Sequence, residues 1–336
     1  MSEGVDTEAM RAALARMGLL AGGVPARFVP LEGGVASNIL RVDLSSGSIC
    51  LKQARHRLKV EAEWLAPVER NASEVAWFET VQAIVPEAVP KILGHDPAAH
   101  LFAMTYLPPE RHPVWKAELL AGRVDISVAR TLGERLARIH RATANDAALA
   151  ARFANDATFE AIRLEPYLRA TAKLHPDRGA ALNALADRTA ATKLGLVHGD
   201  VSPKNILLGP QGPIFLDAEC AWYGDPAFDV AFCLNHLLLK CVRRPHWTDR
   251  YLGAFDALAG PYLATADWEP KRELEARIAS LLPGLMLGRI DGKSPVEYIV
   301  EPADRELVRG FAREHLRAPA PRLAALVNAW FARVVP

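Results

Sequence analysis

Two short apolar runs bracket a polar loop in the middle of this chain, and no other stretch limits its fold and chemistry as tightly. They read Leu196-Val197-His198-Gly199-Asp200-Val201-Ser202-Pro203-Lys204-Asn205-Ile206-Leu207-Leu208, then Ile214-Phe215-Leu216-Asp217-Ala218-Glu219. The apolar residues read as strands, and Gly209-Pro210-Gln211-Gly212-Pro213 reads as the turn between them. An Asp that opens the loop, an Asn five residues on and an Asp that ends the next strand then converge at one set of strand ends. That convergence suits phosphoryl transfer, which needs an acceptor to orient the attacking hydroxyl and oxygen ligands for the Mg²⁺ that neutralises phosphate charge. Asp200 fits the first duty; Asn205, Asp217 and Glu219 fit the second.

The flanking sequence divides into a β-rich first third and a helical remainder. Met10, Leu14 and Met17 predict an amphipathic helix over 7–17 that stops at Gly18. Strands are expected over 28–31, 39–44 and 49–52, with a Ser45-Ser46-Gly47-Ser48 turn, and a helix over 69–85 on the spacing of Val75, Phe78, Val81 and Ile84. Two further strands, 91–94 and 101–106, lead to Leu107-Pro108-Pro109, where a lobe boundary is expected. Beyond it, helices are expected from Ser127, as cap, to Thr143, over 180–193, and from Asp225-Pro226 to Val242. The end of the chain is helical apart from a loop at 291–295.

H-G-D-x-x-x-x-N, a strand, D-x-E and then Trp222-Tyr223-Gly224-Asp225-Pro226-Ala227-Phe228-Asp229 resemble the catalytic loop and metal-binding segment of protein-kinase-like enzymes. The likeness is to their small-molecule branch, the aminoglycoside phosphotransferases and choline kinases. It implies an α+β, bilobal protein-kinase-like fold: a nucleotide-binding N-lobe over 1–107 and a mostly helical C-lobe over 108–336 that holds the acceptor pocket. It also implies ATP and Mg²⁺ as cofactors and a small-molecule hydroxyl as acceptor. His198 becomes a structural support of the loop rather than the base, and Asp229 an acceptor for catalytic-loop amides.

The same resemblance assigns roles in the first third. Lys52, ending a buried strand, is similar to the lysine that pairs with the α- and β-phosphates, and Glu74 to the helix glutamate that orients it; Glu61, Glu63, Glu69 and Glu79 are the competing acids. Gly33, Gly34 and Ser37, in the first hairpin, are positioned for backbone approach to the phosphates. Met104 would lie beside the adenine, with backbone groups of Thr105 and Leu107 on its edge.

The acceptor is less legible. Parts of the chain resemble 5-methylthioribose kinases, but these carry H-G-D-L-H-T-G-S and paired arginines near their ends, whereas Asn205 and the single Arg289 stand here. A polycationic acceptor would call for carboxylates such as Glu219, Asp225 and Asp291; Trp115, Trp222 and Tyr223 could instead stack on a sugar or a methylammonium group. Trp222, Tyr223, Arg289 and Asp291 are therefore the acceptor candidates. An inactive nucleotide-binding scaffold is the reading from another class, and the presence of Lys52, Asp200, Asn205 and Asp217 speaks against it.

Forty Lys and Arg against 39 Asp and Glu give a formal charge of +1, so no global field favours nucleic acid or an anionic membrane. No apolar run reaches the roughly 18–20 residues of a membrane helix. The four cysteines make no C-x-x-C pair, and the start lacks the features of a secretory signal, so a cytoplasmic protein, monomeric or homodimeric, is expected.

Overall fold

The chain is described by a computed structural model over residues 6–31, 37–54 and 70–335. It enters through α1 (Thr7–Arg16), whose first turn is closed by Asp6 accepting the Ala9 N–H at 3.0 Å. Strands β1 (Arg27–Pro30), β2 (Ser37–Leu44) and β3 (Gly47–Ala54) are followed by helix α2 (Arg70–Ile84), β4 (Ile92–Asp96) and β5 (Leu101–Thr105). The five strands form one antiparallel sheet in the order β1-β2-β3-β5-β4.

Strand periodicity decides what each face meets. Leu51, with Leu40, Val42, Leu101 and Ala103, packs with Met10 and Leu14 of α1 in a small outer core. The alternate residues Cys50, Phe102 and Met104 join Val75, Phe78 and Val81 of α2 in the main core. Lys52 leaves the sheet on that inner side, which brings a buried ammonium under α2.

After β5 the chain is mostly helical. It runs through α3 (Trp115–Leu120), α4 (Ile126–Thr143), α5 (Ala147–Arg152), α6 (Asp156–Phe159), a π-helical stretch (Glu160–Arg169), α7 (Ala170–Leu174) and α8 (Pro176–Ala191). Four short strands follow: β6 (Gly195–Val197), β7 (Ile206–Gly209), β8 (Gly212–Phe215) and β9 (Trp222–Gly224). Helices α9 (Pro226–Arg243), α10 (Thr248–Thr265), α11 (Lys271–Asp291), α12 (Pro302–Arg317) and α13 (Leu323–Val334) complete it. Helix α9 is buried from Pro226 to Val242, on every face, and the other C-terminal helices pack around it. The arrangement is α+β and bilobal.

Most expected elements form with ends shifted by one to four residues, the helix expected over 180–193 running Pro176–Ala191, and two differences bear on the site. Helix α4 is capped by Asp125, which accepts the Ser127 N–H at 2.8 Å, so Ser127 lies inside the first turn. Residues 222–224, for which no strand was expected, form β9 and pair with β6 in the register Val197↔Trp222.

Candidate active site

The loop after β6 is held from below. Asp229, in the first turn of α9 and fully buried, accepts the His198 N–H at 2.7 Å and the Gly199 N–H at 2.8 Å; His140, itself 2.9 Å from the Tyr262 hydroxyl, contacts it at 3.3 Å. Gly199 adopts φ +80°, and a Cβ there would come within 2.8 Å of the Cys220 carbonyl, so the turn demands glycine twice over. The His198 ring accepts the Asp200 N–H at Nδ1 (3.1 Å), which leaves Nε2 to donate to the Leu216 carbonyl (3.1 Å). Burial pushes its pKa below the ordinary value, so the ring is a neutral brace between the two bracketing segments.

That brace delivers Asp200 to a cationic setting. Its carboxylate lies 2.9 Å from Arg163 Nη2 and 3.4 Å from Lys204 Nζ. Burial alone would raise its pKa, but Arg163, followed by Lys204, holds it well below the usual carboxylate range. Asn205 donates its amide N–H to the Asp200 carbonyl at 3.1 Å, which fixes the side-chain oxygen as its remaining acceptor.

Arg163 escaped the sequence reading. It sits in the π-helical stretch that contains Pro166, a residue with no N–H to give the Ile162 carbonyl in an α-helical register. Arg163 Nη1 donates to that carbonyl and Nε to the Gly199 carbonyl, so one guanidinium ties the stretch to the loop after β6. A proline inside a helical pattern was the available signal; nothing local pointed to the partner.

Above the loop, Lys52 Nζ lies 2.7 Å from Glu74 Oε2 and 2.6 Å from Asp217 Oδ1. Burial disfavours the lysine charge, yet Asp217 and Glu74 outweigh it and keep its pKa above the ordinary lysine value. Burial pushes Glu74 up to about 7 against the pull of Lys52, so the ammonium and Asp217 are the fixed charges of the trio. Asp217 takes φ +65°, a left-handed conformation that Asp tolerates better than most residues. Glu219, two residues on, is engaged by Arg70 of α2 at 2.9 Å. Arg70 was likewise not foreseen.

Of the expected nucleotide contacts, Ser37 is buried at the start of β2, and Met104 is buried on β5 facing Cys50 and Ile92. Thr105 gives its N–H to the Lys91 carbonyl at 2.9 Å, and Leu107 follows the end of the strand. Gly33, Gly34, Glu61, Glu63 and Glu69 lie outside the described residues. Glu79 instead pairs with Arg152 at 2.9 Å, away from Lys52.

The aromatic acceptor candidates need correction. Trp222 is 1% exposed, stacks on Phe159 at 4.1 Å and donates to Asp156 at 3.0 Å. Tyr223 is buried, with its hydroxyl donating to the Thr143 carbonyl and accepting the Asp146 N–H. Trp115 is buried as well. All three pack the core because β9 and α3 lie within it, and none presents a face on which a ligand could stack. Asp291 is saturated by Arg309 (2.7 Å), Arg305 (3.5 Å) and His175 (2.9 Å), which makes it a tie between α11 and its neighbours. Arg289, in contrast, meets only neutral hydrogen-bond partners among the described residues.

The donor set fits one class of cation. The described residues contain no group of three His, Cys, Asp or Glu able to hold a metal by themselves. Mg²⁺ on a nucleotide needs only one or two carboxylates or amides beside phosphate oxygens and water, and Asp217 with Asn205 supplies hard oxygen donors of that kind.

A sheet-bearing lobe over a helical one, with Lys52, Glu74 and Asp217 joined above Asp200 and Asn205, defines a kinase-like fold. The chain belongs to the phosphotransferase enzyme family, whose model matches residues 27–274. It is 25% identical to a methylthioribose kinase of Yersinia pseudotuberculosis over 249 residues, 66% of this chain and 58% of that one, and 24% identical to methylthioribose kinase 1 of Oryza sativa. This chain thus spans under two thirds of the length of those relatives. In fold it is similar to a choline/ethanolamine kinase family protein from Mesorhizobium loti (18% identity, TM-score 0.51, 98% of this chain and 93% of that one). It is also similar to an amicoumacin kinase (14% identity, TM-score 0.58, 95% and 96%). Among the described residues, no helix is long and apolar enough to cross a membrane.

Proposed function

We propose that this chain transfers the γ-phosphoryl group of ATP to a hydroxyl group of a small molecule. The observation that carries the reading is Lys52, held 2.7 Å from Glu74 of α2 and 2.6 Å from Asp217, which lies 165 residues further along the chain. A buried ammonium shared by two carboxylates at the junction of sheet and helical lobe is an arrangement for gripping phosphate oxygens, and a packing role alone explains it poorly.

In this reading Lys52, oriented by Glu74, binds the α- and β-phosphates, and Ser37 with Gly33 and Gly34 borders them. The adenine rests by Met104 against the Thr105 carbonyl and the Leu107 N–H, and Leu107 closes the nucleotide lobe. Asp217 and Asn205 hold Mg²⁺, with Glu219 behind them; the ion supplies charge neutralisation on the transferring phosphate. Asp200 orients the acceptor hydroxyl and takes its proton late in the transfer. A carboxylate held so far below neutrality by Arg163 is a weak base, suited to aligning the hydroxyl more than to deprotonating it in advance. His198 and Asp229 brace the loop. ATP supply and the four buried, unpaired cysteines favour a cytoplasmic setting.

ADP release measured with ATP, Mg²⁺ and a panel of hydroxyl acceptors tests the reading, with Asp200→Asn as control. Acceptor-dependent ADP release that the variant loses supports it; nucleotide binding without transfer to any acceptor makes the chain a scaffold. Methylthioribose is the second reading for the acceptor, favoured by the sequence match to the kinases of that sugar.

A further inference from the structure

The cations that border the catalytic loop are nearly all neutralised. Arg163 and Lys204 face Asp200, Arg70 faces Glu219, Lys116 lies 2.5 Å from Glu297, and Lys293 lies 2.7 Å from Glu165. Lys240 and Arg289 are different: among the described residues neither has a carboxylate within ion-pair distance.

Lys240 is 1% exposed, on the fourth turn of α9. Among the described residues its Nζ reaches only the His236 carbonyl, at 3.4 Å, and stands 5.1 Å from the Tyr298 ring centre. Arg289 lies on the last turn of α11, where Gly288 lets the backbone press against the π-helical stretch; a Cβ there would fall 2.2 Å from the Tyr167 carbonyl. Arg289 Nη1 contacts the Ser294 hydroxyl (3.0 Å) and the Tyr167 hydroxyl (3.3 Å), while its Nε and the Tyr298 hydroxyl are buried without a hydrogen-bond partner.

These groups adjoin Asp200. Tyr167 packs on Phe232 at 5.3 Å, Phe232 on His236 at 5.6 Å, and the Arg163 guanidinium stands 6.0 Å from the Phe232 ring centre while it binds Asp200. A continuous run of ring contacts therefore links the loop of Asp200 to the helix that carries Lys240, and Arg289 Nε and the Tyr298 hydroxyl stand unpartnered beside it. A buried amine such as Lys240 and a guanidinium with an unpartnered Nε such as Arg289 both gain from an anion placed against them. A cationic acceptor would need carboxylates here, but Asp225 is bound by Arg277, Asp291 by Arg305 and Arg309, and Glu165, Glu219 and Glu297 by the cations already named.

We propose that the acceptor is a small hydroxyl compound bearing a carboxylate or phosphate group, which Lys240 and Arg289 bind while the hydroxyl faces Asp200. This inference rests on the phosphotransferase reading and narrows its substrate class. Burial, reinforced by Lys116 and Arg289, brings Lys240 down to about 7 despite Glu297, Cys233 and Cys241 nearby and with only His236 and Tyr298 in contact. An anion beside it would restore the charge, so binding near pH 8 takes up a proton.

The test is calorimetric titration, in buffers of different ionisation enthalpy, of protein loaded with a non-hydrolysable ATP analogue and Mg²⁺. The probes are hydroxy acids and sugar phosphates, each beside its uncharged parent and an amino counterpart; the two anion series separate carboxylate from phosphate. At least one anion is expected to bind at least roughly tenfold more tightly than its parent, with proton uptake. Lys240→Met and Arg289→Gln should each weaken that anion by roughly 10- to 100-fold, the loss typical of a charged hydrogen bond, and Lys240→Met should abolish the uptake. Either variant suffices should the other fail to fold. Equal binding of a neutral or amino member, no binding by any anion, or unchanged affinity in the variants overturns the proposal. ADP release is read separately with ATP: an anion that binds yet releases none counts against phosphotransfer and leaves the charge inference standing.

Discussion

Arg163 Nη2 lies 2.9 Å from Asp200 Oδ2, and both side chains are more than nine-tenths buried. Asp200→Asn therefore removes two things. Turnover should fall by roughly 10²- to 10⁴-fold, as for lost acid–base function. Stability should also fall, by about 3–5 kcal/mol, because a buried guanidinium loses its counter-charge. Arg163→Met in the same background should restore much of the stability and none of the turnover. Denaturant melts and single-turnover rates separate the two effects, and a variant as stable as wild type would show that the pair is not a structural tie.

Lys52 and Glu74 should couple. Lys52→Ala removes the proposed phosphate contact, Glu74→Ala loosens the same ammonium, and the double variant should lose less in kcat/KM than the two single losses added. A cycle that closes additively assigns the orienting duty to Asp217 alone, the other carboxylate on that nitrogen.

Removing Asp217 should weaken the Mg²⁺ dependence of ATP binding more than removing Asn205, because a carboxylate binds a hard cation more strongly than an amide oxygen does. Glu219→Ala should fall between them, since Arg70 already engages that carboxylate. Nucleotide titrations across a Mg²⁺ series give the order; an unchanged dependence in Asp217→Ala would remove it as a ligand.

Asp229→Asn tests the brace. One of the two acceptors for the His198 and Gly199 amides becomes an N–H donor, which should cost about 1–3 kcal/mol. It should also speed hydrogen exchange at those two amides relative to the amides of β2 and β3. Wild-type exchange at Gly199 would show that the loop holds its shape without Asp229.

The pH dependence of stability carries a signature of Lys240. Its folded pKa, about 7, lies below the unfolded lysine value near 10.5, so between these limits the unfolded chain binds more protons. Wild-type stability should thus rise with pH relative to Lys240→Met from about 7 to 10, by up to about 1.4 kcal/mol per unit. The comparison with the variant cancels cysteines and tyrosines that titrate in the same range. Parallel curves would mean that Lys240 stays charged when folded.

What was legible in the sequence was local. His198, Asp200, Asn205 and Asp217 fall within 20 residues, so their order and the strands between them could be read directly. Lys52 and Glu74 were reached by resemblance and by periodicity, which put Lys52 and Cys50 on one face of β3 and Val75 and Phe78 on the buried side of α2. Arg163 was invisible because its partner lies 37 residues away and its helix is wound irregularly. Trp222 and Tyr223 misled for a related reason: a three-residue strand leaves no alternation to detect, and its partner strand begins 27 residues earlier, at Gly195.

The π-helical stretch also bears on how this chain can vary. Each of its hydrogen bonds spans one residue more than in an α-helix, so losing a single residue between 160 and 169 would let the segment rewind in the tighter register. The rewinding turns one end against the other by about 100°, the angle of one residue step. Arg163 and Tyr167 could not then both keep their places beside Asp200 and Arg289. An exchanged side chain costs one contact; a lost codon costs the alignment of both. Gaps in an alignment across these ten positions, more than substitutions, should mark the points where descendants of this chain changed their chemistry or lost it.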